Sequence, residues 1–301
     1  MSASPSAHAR SAIVTRLRAA GCVFAEDEAR LLMSAAQTPA ELATMVDRRA
    51  AGQPLEHVLG WAEFCGLRIA VDPGVFIPRR RTEFLVREAA ALAGRARGPG
   101  GADPARRPAV VVDLCCGSGA VGAALAAALD RIELYAVDID PAAVRCARRN
   151  VAAAGGRVFL GDMYGPLPDR LRGSVDVLAA NVPYVPTEEV GLLPPEARDH
   201  EPRVALDGGA DGLDVLRRVT AAAPDWLAEG GHLLFETSER QAPQAVEAVA
   251  RGGLIPRVAR SARLNATVVI GTRPAYQDER GSRGPIPAVA LSQRPRRSAG
   301  P

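Results

Sequence analysis

The second half of the chain alternates short apolar runs with segments of helical spacing. The runs that we predict as strands span 109–114, 132–137, 157–160, 175–180, 232–236 and 267–271. This alternation predicts a doubly wound α/β sheet, in which helices cover both faces of mainly parallel strands. Ligands of such sheets bind beyond the carboxyl ends of the strands, so the residues that follow each run are the candidate site.

Changes in composition along the chain predict four parts. Residues 1–93 combine apolar residues at helical spacing with an alternating stretch, which predicts a small helical domain with a β-hairpin. Residues 94–108 are rich in Gly, Pro and Arg and are predicted to form a linker. Residues 109–273 carry the alternating pattern of the sheet, and residues 274–301 have the composition of a disordered tail.

The composition argues against several broad classes of function. The 301 residues carry a formal net charge of only +3, so a broad nucleic-acid-binding surface is not indicated. The five cysteines and four histidines lack the spacing of metal ligands, and an unpatterned cysteine count suits a reducing cytosol. No run approaches the ~18 apolar residues of a membrane span. We expect a cytoplasmic protein without metal or membrane contact, and a monomer.

The run at 175–180 is followed by a polar amide (Asn181), a valine (Val182), a fixed proline (Pro183) and an aromatic ring (Tyr184). Pro183 fixes its own φ and holds Val182 extended, which aims the Val182 carbonyl in a defined direction. The Asn181 side-chain oxygen and that carbonyl can accept both hydrogens of one substrate NH2 group, while Tyr184 stacks on the flat group that carries it. The pattern suits attack by an amide or ring amine, although a strand followed by an Asn-Pro turn is also common without any function.

The first run ends in an aspartate and enters a glycine-rich turn, formed by Asp113, Cys115, Cys116, Gly117, Ser118 and Gly119. Glycines let the backbone turn sharply and approach a ligand closely. Residues 117–122 also match the dinucleotide fingerprint, and Asp138 ends the next run, so a nicotinamide enzyme is one interpretation. Against it, Asp113 would repel a pyrophosphate, and no dehydrogenase base paired with a substrate arginine lies nearby in the sequence.

S-adenosylmethionine fits the same residues better, because its methionine part carries an ammonium and a sulfonium that Asp113 can attract. Asp138 would accept both ribose hydroxyls, and Asp162 and Met163, after the third run, would flank the adenine. A lone aspartate is more often a helix cap or a surface carboxylate, but three at successive strand ends weaken that interpretation. The predicted cofactor residues are Asp113, Cys115, Cys116, Gly117, Ser118, Gly119, Asp138, Asp162, Met163 and Asn181.

Several segments between about residues 60 and 271 carry a resemblance to a known family. They are 76–79 (Phe-Ile-Pro-Arg) with 82–83 (Thr-Glu), 113–119, 136–139, 181–184, 200–206 and 230–236. In this order, they resemble the protein-glutamine methyltransferases that modify peptide-chain release factors. Val182 stands where that family has a proline, and Arg80 and Arg81 stand where it has a proline and an acidic residue.

The resemblance implies transfer of a methyl group from S-adenosylmethionine to the side-chain amide nitrogen of a glutamine in a protein, such as a release factor. It also implies that residues 181–184 hold the glutamine amide and that the helical N-terminal domain binds the protein substrate. Two alternatives stay open. Methylation of an adenine amine in DNA or RNA would use similar chemistry, and a degenerate cofactor-binding module would transfer nothing.

Overall fold

A bundle of helices forms the N-terminal part of the computed structural model, which describes residues 5–96 and 107–275. The helices are α1 (Pro5–Ala19), α2 (Ala25–Ala35), α3 (Pro39–Ala50) and α4 (Leu55–Leu59). The Thr38 side chain accepts a hydrogen bond from the Glu41 N–H at 3.1 Å, which caps α3. Leu17 and Leu32 are fully buried in the bundle core, as the helical spacing of the apolar residues predicts.

A β-hairpin of β1 (Trp61–Phe64) and β2 (Leu67–Ala70) follows the bundle, and α5 (Glu83–Ala96) comes next. Phe64 and Ile69 of the hairpin share one core with Leu85 of α5 and Val111 of the large sheet. The hairpin is therefore joined to the body of the sheet by apolar packing. Residues 97–106 of the predicted linker and 276–301 of the predicted tail lie outside the described residues.

Within the described residues, seven strands form one large sheet. They are β3 (Ala109–Leu114), β4 (Ile132–Asp138), β5 (Arg157–Leu160), β6 (Val175–Ala180), β7 (Leu227–Thr237), β8 (Ile255–Ser261) and β9 (Ala266–Thr272). Their order is β5-β4-β3-β6-β7-β9-β8, with β9 antiparallel to both of its neighbours. The predicted doubly wound sheet is confirmed. Edge strand β8 was not predicted, because Pro256 and two arginines interrupt its apolar alternation.

Helices cover both faces of this sheet, and alternate residues of each strand pack against one layer or the other. Together with α5, these helices are α6 (Ala120–Ala128), α7 (Pro141–Val151), α9 (Asp214–Trp226) and α10 (Ala242–Arg251), whereas the short α8 (Pro195–His200) lies in the connection between β6 and β7. Val111 packs in the core that contains residues of α5, α6 and α7. Val112 packs in the core that contains residues of α9 and α10. Strand β3 is buried along its whole length, which explains its unbroken apolar run.

The order of the strands reverses between β3 and β6. From β3 the chain continues outward to β4 and β5, whereas β6 and β7 lie on the other side of β3. The two central strands are parallel, with Leu114 opposite Ala180. The chain segments that leave them diverge, which opens a crevice beyond their carboxyl ends. Asp113 lies at the end of β3 and Asn181 directly follows β6, so the reversal brings both residues to this crevice.

One side chain joins the hairpin to the turn after β3. Asn150, in the last turn of α7, accepts a hydrogen bond from the Ala70 N–H at 2.9 Å. Its amide nitrogen donates to the carbonyls of Ala70 and Ser118, both at 2.8 Å. The Asn150 amide therefore binds the edge of β2 and the glycine-rich turn at the same time.

We expect Asn150→Ala to lower the free energy of unfolding by about 1–3 kcal/mol, since it leaves partly buried backbone groups without their partners. The measurement is urea unfolding followed by circular dichroism. Arg145→Ala is the matched control, because Arg145 lies exposed on the same helix, and such a surface change stays within about 0.5 kcal/mol. Equal unfolding midpoints for the Asn150 variant and wild type would show that the Asn150 hydrogen bonds to β2 and to the glycine-rich turn do not stabilise the fold.

Candidate active site

The turn between β3 and α6 wraps closely around the carboxyl end of β3. Cys115, Gly117 and Gly119 have φ angles of +53°, +53° and +77°. A Cβ at Gly119 would also lie 3.0 Å from the Cβ of Ala147, so α7 can approach the turn only where a glycine stands. Cys115 adopts a left-handed conformation that few residues other than glycine take, which stores strain beside the crevice.

Asp113 is fully buried beneath this turn. Its Oδ2 accepts a hydrogen bond from the Gly122 N–H at 2.8 Å, whereas its Oδ1 has no partner among the described residues. Burial raises the pKa of the Asp113 carboxyl to about 8; the nearby Asp138 adds to the rise and the Gly122 N–H opposes it. The carboxyl group is thus only partly satisfied, and a cation beside Oδ1 would supply the missing partner.

Asp138 holds the turn from the neighbouring strand. Its two carboxylate oxygens accept hydrogen bonds from the Gly117 N–H at 2.8 Å and from the Asp140 N–H at 2.9 Å. Burial raises the pKa of this carboxyl above its ordinary value, against the effect of those two donors. A carboxylate oxygen has two lone pairs, so each oxygen of Asp138 can still accept a further hydrogen bond.

The crevice contains a cavity that is lined by most of the predicted cofactor residues. Those that line it are Asp113, Cys115, Cys116, Gly117, Ser118, Asp138, Asp162, Met163 and Asn181. Gly119 is absent from the lining, since it lies against Ala147 of α7. Burial raises the pKa of the Cys115 and Cys116 thiols, so both stay protonated at neutral pH and act as small side chains of the wall.

The wall of the cavity also contains residues that were not predicted as site residues. Phe76, Pro78 and Thr82 come from the segment between the hairpin and α5. Arg218 of α9 also lines the cavity and forms an ion pair with Asp162 at 2.5 Å. A helical arginine some fifty positions after its partner carries no motif, so only the fold could reveal this pair.

A second cavity, which we call the slot, adjoins the first. Both cavities are lined by Phe76, Asn181, Pro183 and Ala205. The slot is also lined by Val182 and Tyr184, so the structure brings together all four residues predicted after β6. The Asn181 amide has no hydrogen-bond partner among the described residues, and it lies where the two cavities meet.

The loop that carries these residues is held by hydrogen bonds on its outer side. Gln241 Nε2 donates to the Tyr184 carbonyl at 2.9 Å, and the Val185 N–H donates to the Leu206 carbonyl at 3.0 Å. The Val182 side chain is buried in the core beneath the sheet, so only its backbone can serve the slot. A valine can therefore replace a more rigid residue here without changing the groups that face a substrate.

Tyr184 is fixed by two charged groups. Its hydroxyl accepts a hydrogen bond from Arg81 Nη2 at 2.6 Å and lies 3.1 Å from Glu236 Oε1, to which it donates. Glu236 also accepts from Arg81 Nε and from Thr82 Oγ1, each at 2.7 Å. Burial, with Glu236 next, raises the pKa of Tyr184 to about 12, so the ring is neutral near pH 7.

A second ion pair links the same segment to the loop after α8. Glu201 is buried, and its two oxygens accept from Arg79 Nη2 at 2.7 and 2.6 Å. Glu201 also accepts from the Ile77 N–H at 3.2 Å. Arg79 and Arg81, two residues apart, therefore each bind a buried glutamate on the sheet side of the slot. Glu201 and Glu236 were not predicted as site residues, although both lie in the segments that carried the resemblance.

Comparison with known proteins gives the family. A model described as "Methyltransferase small domain" matches residues 104–192. A release factor glutamine methyltransferase of Geobacter sulfurreducens is 40% identical over 71% of this chain and 72% of its own length. One of Mycolicibacterium smegmatis is 39% identical over 75% of this chain and 78% of its own. The chain belongs to the release factor glutamine methyltransferase family. The resemblance predicted from the motifs is confirmed, and the nicotinamide interpretation is set aside.

A further relative differs in the substrate that its name gives. A 4-amino-L-phenylalanine/4-methylamino-L-phenylalanine methyltransferase of Streptomyces pristinaespiralis is 36% identical over 65% of each chain.

In residues 5–96 and 107–275, no group of three or more His, Cys, Asp or Glu side chains is placed to hold a metal ion. No helix within those ranges is long and apolar enough to cross a membrane.

Membership of a methyltransferase family makes S-adenosylmethionine its methyl donor. The residues at the crevice fit the charge of that cofactor. Asp113 Oδ1 is a buried acceptor without a partner among the described residues, which suits the ammonium of the methionine part. Each oxygen of the Asp138 carboxylate can still accept a hydrogen bond from a hydroxyl group. When bound, the cofactor supplies an activated methyl group next to a positively charged sulfur.

The raised pKa of Asp113 predicts that cofactor binding depends on pH. Below about pH 8 the buried carboxyl holds a proton that a bound ammonium must displace, so we expect affinity to rise by roughly tenfold per pH unit from pH 6 towards 8. Above that range the cofactor's own amine, with a pKa of about 8, loses its charge. Isothermal titration calorimetry in buffers of different ionisation enthalpy measures both the affinity and the released proton.

Asp113→Asn is the control for this titration, because the amide cannot ionise. We expect weaker binding and a much flatter dependence on pH between 6 and 8 in that variant. The sign for stability is opposite: between about pH 4 and 8 the native carboxyl keeps a proton that the unfolded chain has lost, so stability falls as pH rises. An equally steep dependence of cofactor affinity on pH in the asparagine variant would refute the assignment to Asp113.

Proposed function

We propose that this chain transfers a methyl group from S-adenosylmethionine to the side-chain amide nitrogen of a glutamine in a protein, and that the protein is a peptide-chain release factor. The observation that carries the proposal is the position of Asn181. Its unpartnered amide lies at the junction of the cofactor cavity and the slot. A group bound to it from the slot therefore faces the cofactor cavity.

In this mechanism, Asn181 and Val182 hold the substrate amide. Asn181 Oδ1 and the Val182 carbonyl accept the two N–H groups, which leaves the nitrogen lone pair directed towards the cofactor cavity. Pro183 keeps the two acceptors at a fixed spacing, and the neutral Tyr184 ring lies along the flat amide. Holding the nitrogen in line with the methyl group lowers the barrier mainly by orientation.

The proton balance needs no strong base. Methyl transfer would form the nitrogen–carbon bond and break the sulfur–carbon bond of the cofactor, so the amide nitrogen would gain positive charge and its N–H would become acidic. The acceptors at Asn181 and Val182 stabilise that developing charge, which is the main electrostatic contribution of the chain to catalysis. The proton then leaves to water. Tyr184, whose pKa is raised to about 12, keeps its own proton throughout.

On the cofactor side, we assign each predicted residue a role. Asp113 Oδ1 binds the ammonium, Asp138 binds the two ribose hydroxyls, and Asp162 and Met163 lie beside the adenine. The turn of Cys115, Cys116, Gly117, Ser118 and Gly119 encloses the methionine part. The pairing of Asp162 with Arg218 supports this placement, since it fixes one edge of the cavity.

The substrate side of the slot supports a protein substrate. Pro54 and Glu56, at the end of the helical bundle, line the slot together with Asn181 and Tyr184. We therefore propose that residues 1–93 act as the substrate-binding domain and residues 109–273 as the methyltransferase domain. A monomer that works in the cytoplasm, where translation occurs, is part of the same proposal.

The function is tested with labelled S-adenosylmethionine. Purified release factors, total cell protein, DNA and 4-aminophenylalanine are each incubated with the enzyme, and the labelled product is identified by mass spectrometry. The proposal predicts label on a glutamine of a release factor. Label on another protein would keep the chemistry and refute the release factor as substrate; label only on DNA or on the free amino acid would refute the proposed reaction.

We expect Asn181→Ala to lower kcat by about a hundredfold or more, the usual loss when one transition-state hydrogen-bonding group is removed. Cofactor affinity should change little, because Asp113 and Asp138 remain. Asn181→Asp retains an acceptor oxygen and should keep part of the activity. The measurement is steady-state kinetics together with calorimetric titration of the cofactor. A variant that loses cofactor affinity and turnover in equal measure would move Asn181 out of the substrate role.

A further inference from the structure

A third cavity lies on the other side of Tyr184 from the slot. Its volume is about 520 Å³, and we call it the flank groove. Arg81 and Tyr184 line both the slot and the flank groove. The end of β7 and the turn between β8 and β9 complete its lining, through Glu236, Thr237, Ser238, Arg260, Ala262 and Asn265.

The three cavities lie next to one another, because neighbouring ones share lining residues. The cofactor cavity and the slot share Asn181 and Pro183, and the slot and the flank groove share Arg81 and Tyr184. The slot alone has a volume of about 420 Å³, which already exceeds what one glutamine side chain needs. A further cavity beside the slot therefore fits a substrate that extends well beyond the side chain that reacts.

The charges in the flank groove are paired. Arg81 forms an ion pair with Glu236 at 2.7 Å, and Arg260 lies 3.6 Å from Glu239. A nucleic-acid backbone would require unpaired cations for its phosphates. A polypeptide backbone requires only neutral donors and acceptors, so the groove suits a peptide better than a nucleic acid.

Groups that suit a peptide backbone line the flank groove. Among the described residues, Arg81 Nη1 and the Asn265 side chain have no hydrogen-bond partner. Both side chains are exposed, so a segment in the groove can reach them and replace water as their hydrogen-bond partner.

We propose that the flank groove binds the polypeptide segment next to the target glutamine. The proposal rests on the function proposed above and adds a binding site for substrate outside the slot. The segment passes over the edge formed by Arg81 and Tyr184, where Arg81 Nη1 donates to a backbone carbonyl. The hydrogen bonds from Arg81 and to Glu236 keep Tyr184 in place as the wall between slot and groove, so the segment meets a fixed edge.

The test compares a long glutamine peptide with two peptides truncated on either side of the glutamine. In wild type, truncation on one side should raise KM by about three- to tenfold for each backbone hydrogen bond lost, with little effect on kcat. Ala262→Trp fills the groove from an exposed turn position. We expect it to raise the KM of the long peptide to that of the truncated one and to leave the truncated peptide unaffected.

Arg263→Trp is the matched control, since Arg263 is exposed on the same turn but does not line the groove; it should behave as wild type. Asn265→Gly is a second variant that removes the amide and tolerates the φ of +47° at this position. We expect it to raise the KM of the long peptide by about threefold. Cofactor affinity should not change in any of the three.

An unchanged KM for the long peptide in both groove variants, or an equal rise for long and truncated peptides, would overturn the proposal. Failure of the underlying function has a different signature, because wild type would then methylate no glutamine peptide and no release factor. Loss of the groove alone leaves methylation of the truncated peptide intact.

Discussion

The parallel pairing of β3 with β6 is the constraint on which the site depends. These strands are neighbours in the sheet but their connections run to opposite sides, so their carboxyl ends border one crevice. Asp113 at the end of one strand and Asn181 beyond the other are brought together by this register alone. A slip of one residue in either strand would turn these side chains to the other face of the sheet.

Buried carboxyl groups give the crevice its chemical character, and each is satisfied to a different degree. Asp138 accepts two backbone N–H groups, and Glu236 accepts from Arg81, Thr82 and Tyr184. Asp113 has one partner and one unpartnered oxygen. Burying such a group without a full set of partners costs free energy, and strain of this kind is concentrated at binding sites. Asp113, whose carboxyl group has an unpartnered oxygen, is therefore the residue that we assign to the cationic cofactor.

Arg79 and Arg81, just before α5, join the wall of the slot to the loop after α8 and to β7. Arg79 binds Glu201 and Arg81 binds Glu236, so the segment between the hairpin and α5 is held by two buried glutamates. Loss of the Arg81 side chain would remove one of the two hydrogen bonds that fix the Tyr184 hydroxyl. The segment between the hairpin and α5 is thus joined by a direct contact to Tyr184, which we propose lies along the reacting amide.

The local sequence pattern predicted most helices and strands but not the side-chain pairs that join distant segments. The strands β3 to β6 and the aspartates at their ends follow from apolar runs and the residues that end them, because burial and turn formation act over a few residues. Arg218, Glu201 and Glu236 lie far along the chain from the groups they contact, and no spacing rule relates them. Strand β8 was missed because an edge strand bears Pro256 and two arginines. The flank groove is formed by segments from four regions, so only the folded chain shows it.

A crystal structure with S-adenosylhomocysteine and a glutamine peptide tests the central claim most directly. We expect the glutamine NH2 group to lie within hydrogen-bonding distance of Asn181 Oδ1 and the Val182 carbonyl, with its nitrogen facing the sulfur. The ammonium of the cofactor product should contact Asp113. A peptide amide bound away from Asn181, or a sulfur directed away from the slot, would contradict the assignment of donor and acceptor to the ends of β3 and β6.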